Sequence, residues 1–97
     1  MSTQDRGVYS ISVVAELTGV SPQSLRELEA RGLIKPKRTD GGTRRYSEND
    51  VERIKEVAAL LGTGVNHEGA LQLMEMRAEA AELRREIRDL SGGNSED

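Results

Sequence analysis

The chain has no cysteine, no phenylalanine and no tryptophan, and it holds only two prolines and one histidine. The missing cysteines exclude disulfides, thiolate metal sites and cysteine redox sensing together. A single histidine, His67, does not make a metal site, and its place is the exposed first turn of a helix. With two tyrosines as the only aromatics, a core must be assembled from Val, Ile, Leu, Ala and Met, which favours helices over a β-sandwich. Nothing approaches the roughly 18 consecutive apolar residues needed to span a bilayer, and the polar start MSTQDRG does not read as a signal peptide. The expected location is cytoplasmic. No phosphate-binding glycine loop and no set of acids able to line a cleft is evident, so the chain has nothing with which to do catalytic chemistry. No cofactor is expected.

What is present is charge, unevenly placed. The 97 residues carry a net −3, which is not the usual footprint of a nucleic-acid binder. Residues 1–56 nevertheless hold ten cations and nine anions, whereas residues 57–97 hold four and eight. Between Arg31 and Tyr46 there are six cations (Arg31, Lys35, Lys37, Arg38, Arg44, Arg45) against Asp40 alone, a local +5 that leaves −8 for the remainder. A chain this short buries a modest share of its surface, so a partner subunit would complete it naturally.

The cationic stretch has an ordered grammar. Ser21 suits a helix N-cap and Pro22 the first helical position, because proline's missing N–H is unpaired there anyway. Leu25 and Leu28 share an apolar stripe, and Gly32 supplies a left-handed stop. Leu33 and Ile34 open an extended arm, Asp40-Gly41-Gly42 reverses it, and Arg44-Arg45-Tyr46 forms the return. Upstream, Ser12 is expected to cap a first helix through Val13, Val14 and Leu17 that stops at Gly19, after an extended Tyr9 and Ile11. Two short helices joined through a glycine-containing turn form a helix-turn-helix, whose second helix enters a major groove. Taken alone, this corner also suits many small helical domains.

Downstream, Ser47-Glu48-Asn49-Asp50 reads as a capping box for a helix carrying Val51, Ile54, Val57, Ala58 and Leu61, stopped by Gly62 and Gly64. Asn66 is the next cap. Beyond it, Leu73, Met76, Ala80, Leu83, Ile87 and Leu90 are separated by 3, 4, 3, 4 and 3 residues, a heptad seam with charged flanks. A helix of roughly 24 residues would be about 36 Å long, and most of its seam needs a second copy of the chain to cover it. The Met74 and Met76 pair reads as packing. The expected layout is a disordered segment 1–7, a winged helix-turn-helix over 8–65, a dimerisation helix over 66–90 and a disordered tail over 91–97.

The sequence YSISVVAELTGVSPQSLRELEARGLIKPKRTDGGTRRYSENDVERI resembles the DNA-binding part of the MerR family of bacterial transcription regulators over about residues 9–76. The GVSPQSLR helix start, the GLIKP step, the GGTRRYS return and the NDVERI helix carry the likeness. Within the family, GVN after the third helix and the KRTDGG hairpin resemble the heat-shock repressor HspR subgroup. The resemblance implies a mainly α fold: a winged helix-turn-helix with a small β-hairpin wing, dimerised through a C-terminal coiled-coil helix. It implies a homodimer on double-stranded DNA at an inverted repeat, repression, a nucleoid-associated location, and a protein co-regulator such as the chaperone DnaK. Family members usually carry tyrosine after the LR of the recognition helix, where it helps to grip phosphate. This chain has Glu27 and Leu28 there, so Glu27 is either turned away or lowers affinity.

The residues expected at DNA are Ser21, Gln23, Ser24, Arg26, Lys35, Lys37, Arg38, Arg44, Arg45 and Tyr46. Arg44 and Arg45 suit phosphate contacts, which fix register on the duplex. Gln23 can pair bidentately with adenine, and Ser24 is less selective. Arg26 could reach a guanine edge or a phosphate. Lys35, Lys37 and Arg38 supply screened attraction or simply solubility. Tyr46 either donates its hydroxyl to phosphate or packs the hairpin on the core. Two other functions fit the same residues: an excisionase-like architectural factor, which uses a similar winged fold, and an anti-repressor whose Glu27 and acidic helix bind another regulator.

Overall fold

Ser10, rather than Ser12, starts the first helix in the computed structural model, which describes residues 7–95, with side chains as far as Leu90. Of the segments expected to be disordered, 1–7 and 91–97, residues 1–6 and 96–97 lie outside the described residues, while 91–95 are helical. Helix α1 spans Ile11–Thr18, with the Ser10 hydroxyl accepting from the Val13 N–H at 3.4 Å. The start moves upstream because Tyr9 is held extended by a distant strand. The Tyr46 N–H donates to the Tyr9 carbonyl at 2.8 Å, and the Val8 and Tyr9 N–H groups donate to the Tyr46 carbonyl at 2.9 Å. Ile11, expected in the extended segment, is therefore the first helical residue.

Helix α2 spans Pro22–Ala30 behind the Ser21 cap, which accepts from the Ser24 N–H at 3.1 Å. It closes through Gly32 at φ 81°. The Gly32 N–H reaches the Glu29 carbonyl at 3.0 Å and the Leu33 N–H the Leu28 carbonyl at 2.9 Å. This pair of bonds satisfies the last carbonyls and turns Leu33 inward, and the backbone it needs suits only a residue without Cβ. Two short strands follow, β1 (Lys37–Arg38) and β2 (Arg44–Arg45), antiparallel with Lys37 opposite Arg45 and Arg38 opposite Arg44. The turn between them is tied by Thr39 N–H to Thr43 carbonyl and Gly42 N–H to Thr39 carbonyl, both at 2.8 Å.

Helix α3 (Glu48–Gly62) opens on the expected capping box: the Asp50 N–H donates to the Ser47 hydroxyl at 3.0 Å and the Ser47 N–H to the Asp50 carboxylate at 2.8 Å. Its end repeats the α2 device at Gly64. Helix α4 (His67–Ser95) starts behind Asn66, whose side chain accepts from the Gly69 N–H at 2.7 Å. It runs through Gly92 and Gly93, where a stop was expected. Glycine inside a helix costs only about 1 kcal/mol and, unlike proline, blocks no hydrogen bond.

Helix α1 packs on α2 and α3, and α3 packs on α4. The core is Val14, Leu25, Leu28, Leu33, Ile34, Tyr46, Val51, Ile54 and Val57, to which α4 adds only Ala70 and Met74. Each such large side chain contributes about 1.5–3 kcal/mol on burial. Past Met74, Arg77 on α4 pairs with Glu56 on α3 at 3.5 Å. Along the seam, Leu73 and Ala80 are half-buried, while Met76, Leu83, Ile87 and Leu90 stay 62%, 53%, 64% and 86% exposed. Of the methionine pair, only Met74 packs in the core. Among the described residues, no helix is long and apolar enough to cross a membrane.

Candidate nucleic-acid interface

Helix α2 turns Leu25 and Leu28 inward and leaves Gln23, Ser24, Arg26, Glu27 and Ala30 exposed. At about 100° per residue, Gln23, Arg26, Glu27 and Ala30 occupy the outer face. Gln23 and Arg26 are thus open to solvent on that face. Ser21 and Ser24 are partly engaged, since the Ser21 hydroxyl caps the helix and also lies 3.0 Å from the Ser24 hydroxyl. Lys35 is exposed at the foot of the wing, Lys37 and Arg38 are exposed on β1, and Arg44 and Arg45 are half-buried on β2. The segment between helix and wing is held from below by the Arg53 Nε, which donates to the Leu33 carbonyl at 2.6 Å.

Three ion pairs lie on this surface among the described residues. On the outer face, Glu27 meets Arg31 one turn later at 3.1 Å, so its charge is locally opposed. On the wing side, Glu29 accepts from the Arg44 Nε at 2.5 Å and from the Arg38 Nη2 at 2.9 Å. Arg38 also donates through Nη1 to the Gly42 carbonyl at 2.8 Å. Burial alone would raise the Glu29 carboxyl, but hydrogen bonds and positive charge from Arg44 and Arg38 outweigh it and hold it below its ordinary value. The same bond raises Arg44 further, against its partial burial.

Tyr46 requires a correction. It is fully buried, so of its two readings the structure realises packing, and its hydroxyl is not available to a phosphate. The chain leaves that hydroxyl without a hydrogen-bond partner. Its extended backbone bonds to Tyr9 pull the ring under the sheet, and burial pushes its ionisation upward despite the nearby Arg44. Leu28 is a core residue, 3% exposed. Sequence reasoning missed Glu29 altogether. The signal available was a wing crowded with cations beside a helix carrying an acid on its wing-facing side, a crowding that calls for a counter-charge. Among the described residues, no group of three or more His, Asp or Glu side chains is gathered to hold a metal.

A helix-turn-helix corner, a cationic wing beside its second helix and a long C-terminal helix define the class: a winged helix-turn-helix fold. The chain belongs to the family described as MerR HTH family regulatory protein, which matches residues 9–77 and is a family of regulators, not enzymes. It is 40% identical over 90 residues to the putative heat shock protein HspR of Streptomyces coelicolor, covering 92% of this chain and 60% of that protein. It is 47% identical over 64 residues to the transcriptional regulator TnrA of Bacillus subtilis, covering 66% of this chain and 58% of that one. The chain therefore spans about three fifths of the length of these two relatives. Among solved structures, HiNmlR, a MerR family regulator lacking the sensor domain and bound to promoter DNA, matches with a TM-score of 0.63 at 21% identity, over 88% of this chain and 86% of that one. At that identity the likeness is one of fold.

Proposed function

We propose that this chain acts as a homodimeric, sequence-specific repressor that places two α2 helices in successive major grooves of an inverted-repeat operator. The observation that carries the reading is the wing: cations of β1 and β2 fastened beside the exposed face of α2 through Glu29. The seam of Leu73, Met76, Ala80, Leu83, Ile87 and Leu90 supplies the second copy, since its distal residues are exposed. In this arrangement Arg44, Arg45, Lys37 and Lys35 face phosphate, while Gln23, Ser24 and Arg26 face base edges. Repression and a chaperone-type co-regulator are what the resemblance of GVN and KRTDGG to the HspR subgroup implies, and the identity to a putative heat shock protein supports a stress-response role.

The test is selection of bound duplexes from random and genomic DNA, followed by a salt titration on the recovered site. A dimer making roughly 6–10 phosphate contacts loses about three to five decades of affinity between 50 and 200 mM salt. Recovery of an inverted repeat with that steep dependence supports the proposal. Direct repeats beside a recombination site would favour an architectural factor instead. No bound sequence, with capture of another regulator, would favour an anti-repressor.

A further inference from the structure

The wing has strands of two residues each, and an isolated two-stranded hairpin is marginal in water. Two attachments fix its angle to the body. At the base, Tyr46 pairs with Tyr9 through the backbone. Farther out, the Glu29 carboxylate takes Arg44 with one oxygen and Arg38 with the other. These arginines sit opposite each other across the hairpin, so one carboxylate grips both strands, and Arg38 carries the tie on to Gly42 in the turn. Glu29 lies in the last turn of α2, so this side chain ties the recognition helix directly to both strands of the wing.

An acid on a surface that meets phosphate repels its ligand, and here it would be a liability unless it gave something in return. The cluster keeps a net positive charge, two guanidiniums to one carboxylate. A guanidinium offers five donors in a rigid fork, so Arg44 can give Nε to Glu29 and still present both terminal nitrogens elsewhere. An ammonium at the same place would have one nitrogen to divide between the two.

We infer that Glu29 is a positioning residue for operator recognition: by engaging Arg44 Nε and Arg38 it holds the wing so that the Arg44 terminal nitrogens meet a backbone phosphate at a fixed offset from α2. This rests on the DNA-binding reading above. The experiment uses the full chain with Glu29→Ala and Glu29→Gln, each alone and combined with Arg44→Ala. Affinity is measured for the selected operator and for an unrelated duplex of equal length, with thermal midpoints alongside. Glu29→Ala is expected to lower the ratio of operator to unrelated affinity on the order of tenfold, the scale of one lost charge-assisted bond. In the Arg44→Ala background the same change should move that ratio less than about twofold, because the residue through which Glu29 acts is gone.

Equal changes on both duplexes would mean that Glu29 contributes only charge, and would overturn the inference. So would an undiminished loss in the Arg44→Ala background, which would place its effect in the fold. Should Glu29→Ala fail to fold, Glu29→Gln carries the same comparison with a smaller change. A wild-type chain that prefers no duplex overturns the DNA-binding reading and this inference with it. A wild-type preference with parallel shifts in the variants overturns this inference alone.

Discussion

Leu25 and Leu28 on α2 and Leu83, Ile87 and Leu90 on α4 each share one face of their helix, yet the fold treats them oppositely. The first pair is 0% and 3% exposed, whereas the second group is 53% to 86% exposed. Periodicity says which face of a helix seeks cover, but the rest of the chain decides whether cover exists. Helix α2 contributes to one core with α1, α3 and the base of the wing, while α4 leaves that core after Met74. The body is a finished unit, and the outer part of α4 is left uncovered.

The largest expected effect comes from breaking the finished half. Leu25→Ala should cost about 2–5 kcal/mol in urea unfolding, the range for a leucine removed from a filled core. The paired change Leu83→Lys with Ile87→Lys should leave the body folded and abolish self-association. Its midpoint should lose the dependence on protein concentration expected of a dimeric parent. If the paired change unfolds the body, or the parent sediments as a monomer at micromolar concentration, the contrast between the two stripes fails.

The interface can be divided in the same way, into residues that hold and residues that read. Arg44→Ala should weaken binding to the operator and to its single-base variants similarly, leaving the preferred base at each position unchanged, and flatten the salt slope by about one. Gln23→Ala should relax preference at one base pair, on a scale of about 1–3 kcal/mol of discrimination. If both variants relax base preference equally, the division is wrong.

Most of the body was legible in local sequence because local rules write it. Ser21-Pro22, the Ser47–Asp50 box, Asn66 and the closing glycines each act within a few residues, and each stands where it was expected. The failures share a cause, which is distance along the chain. Ser10 displaced Ser12 because Tyr9 pairs with Tyr46. Tyr46 could be read as a phosphate ligand because its neighbours in sequence are arginines, while its burial is set by helices far from it. Glu29 passed as one more charge on a helix, and its partners lie 9 and 15 residues away. The run of α4 through Gly92-Gly93 is the one local rule that did not operate.

Tyr46 offers a smaller test of the body. Its hydroxyl is buried and lacks a hydrogen-bond partner, a state that costs free energy in the folded protein. Tyr46→Phe should therefore be neutral or stabilising by about 1 kcal/mol, with operator affinity unchanged. Lost affinity at unchanged stability would restore the hydroxyl as a DNA contact.

The smallest effect compares one kind of ion pair in the two regions. Glu29 and Arg44 have side chains 21% and 25% exposed, whereas Glu82 and Arg85 on the outer part of α4 are both 59% exposed. Exposed pairs contribute little because water screens them and ordering two long side chains costs entropy. Glu82→Gln should therefore leave unfolding unchanged. For Glu29, burial would raise the carboxyl, but Arg44 and Arg38 hold it below the ordinary 4.5. A carboxyl depressed in the folded state adds stability that is present above its unfolded value and is lost as pH falls through the folded one. Screening discounts that contribution to less than about 1 kcal/mol. The advantage of the parent over Glu29→Gln should accordingly be constant near neutrality and shrink as the pH is taken below 4.5. An advantage that persists undiminished in acid would mean that Glu29 holds the wing by shape, and that charge has no part in the attachment.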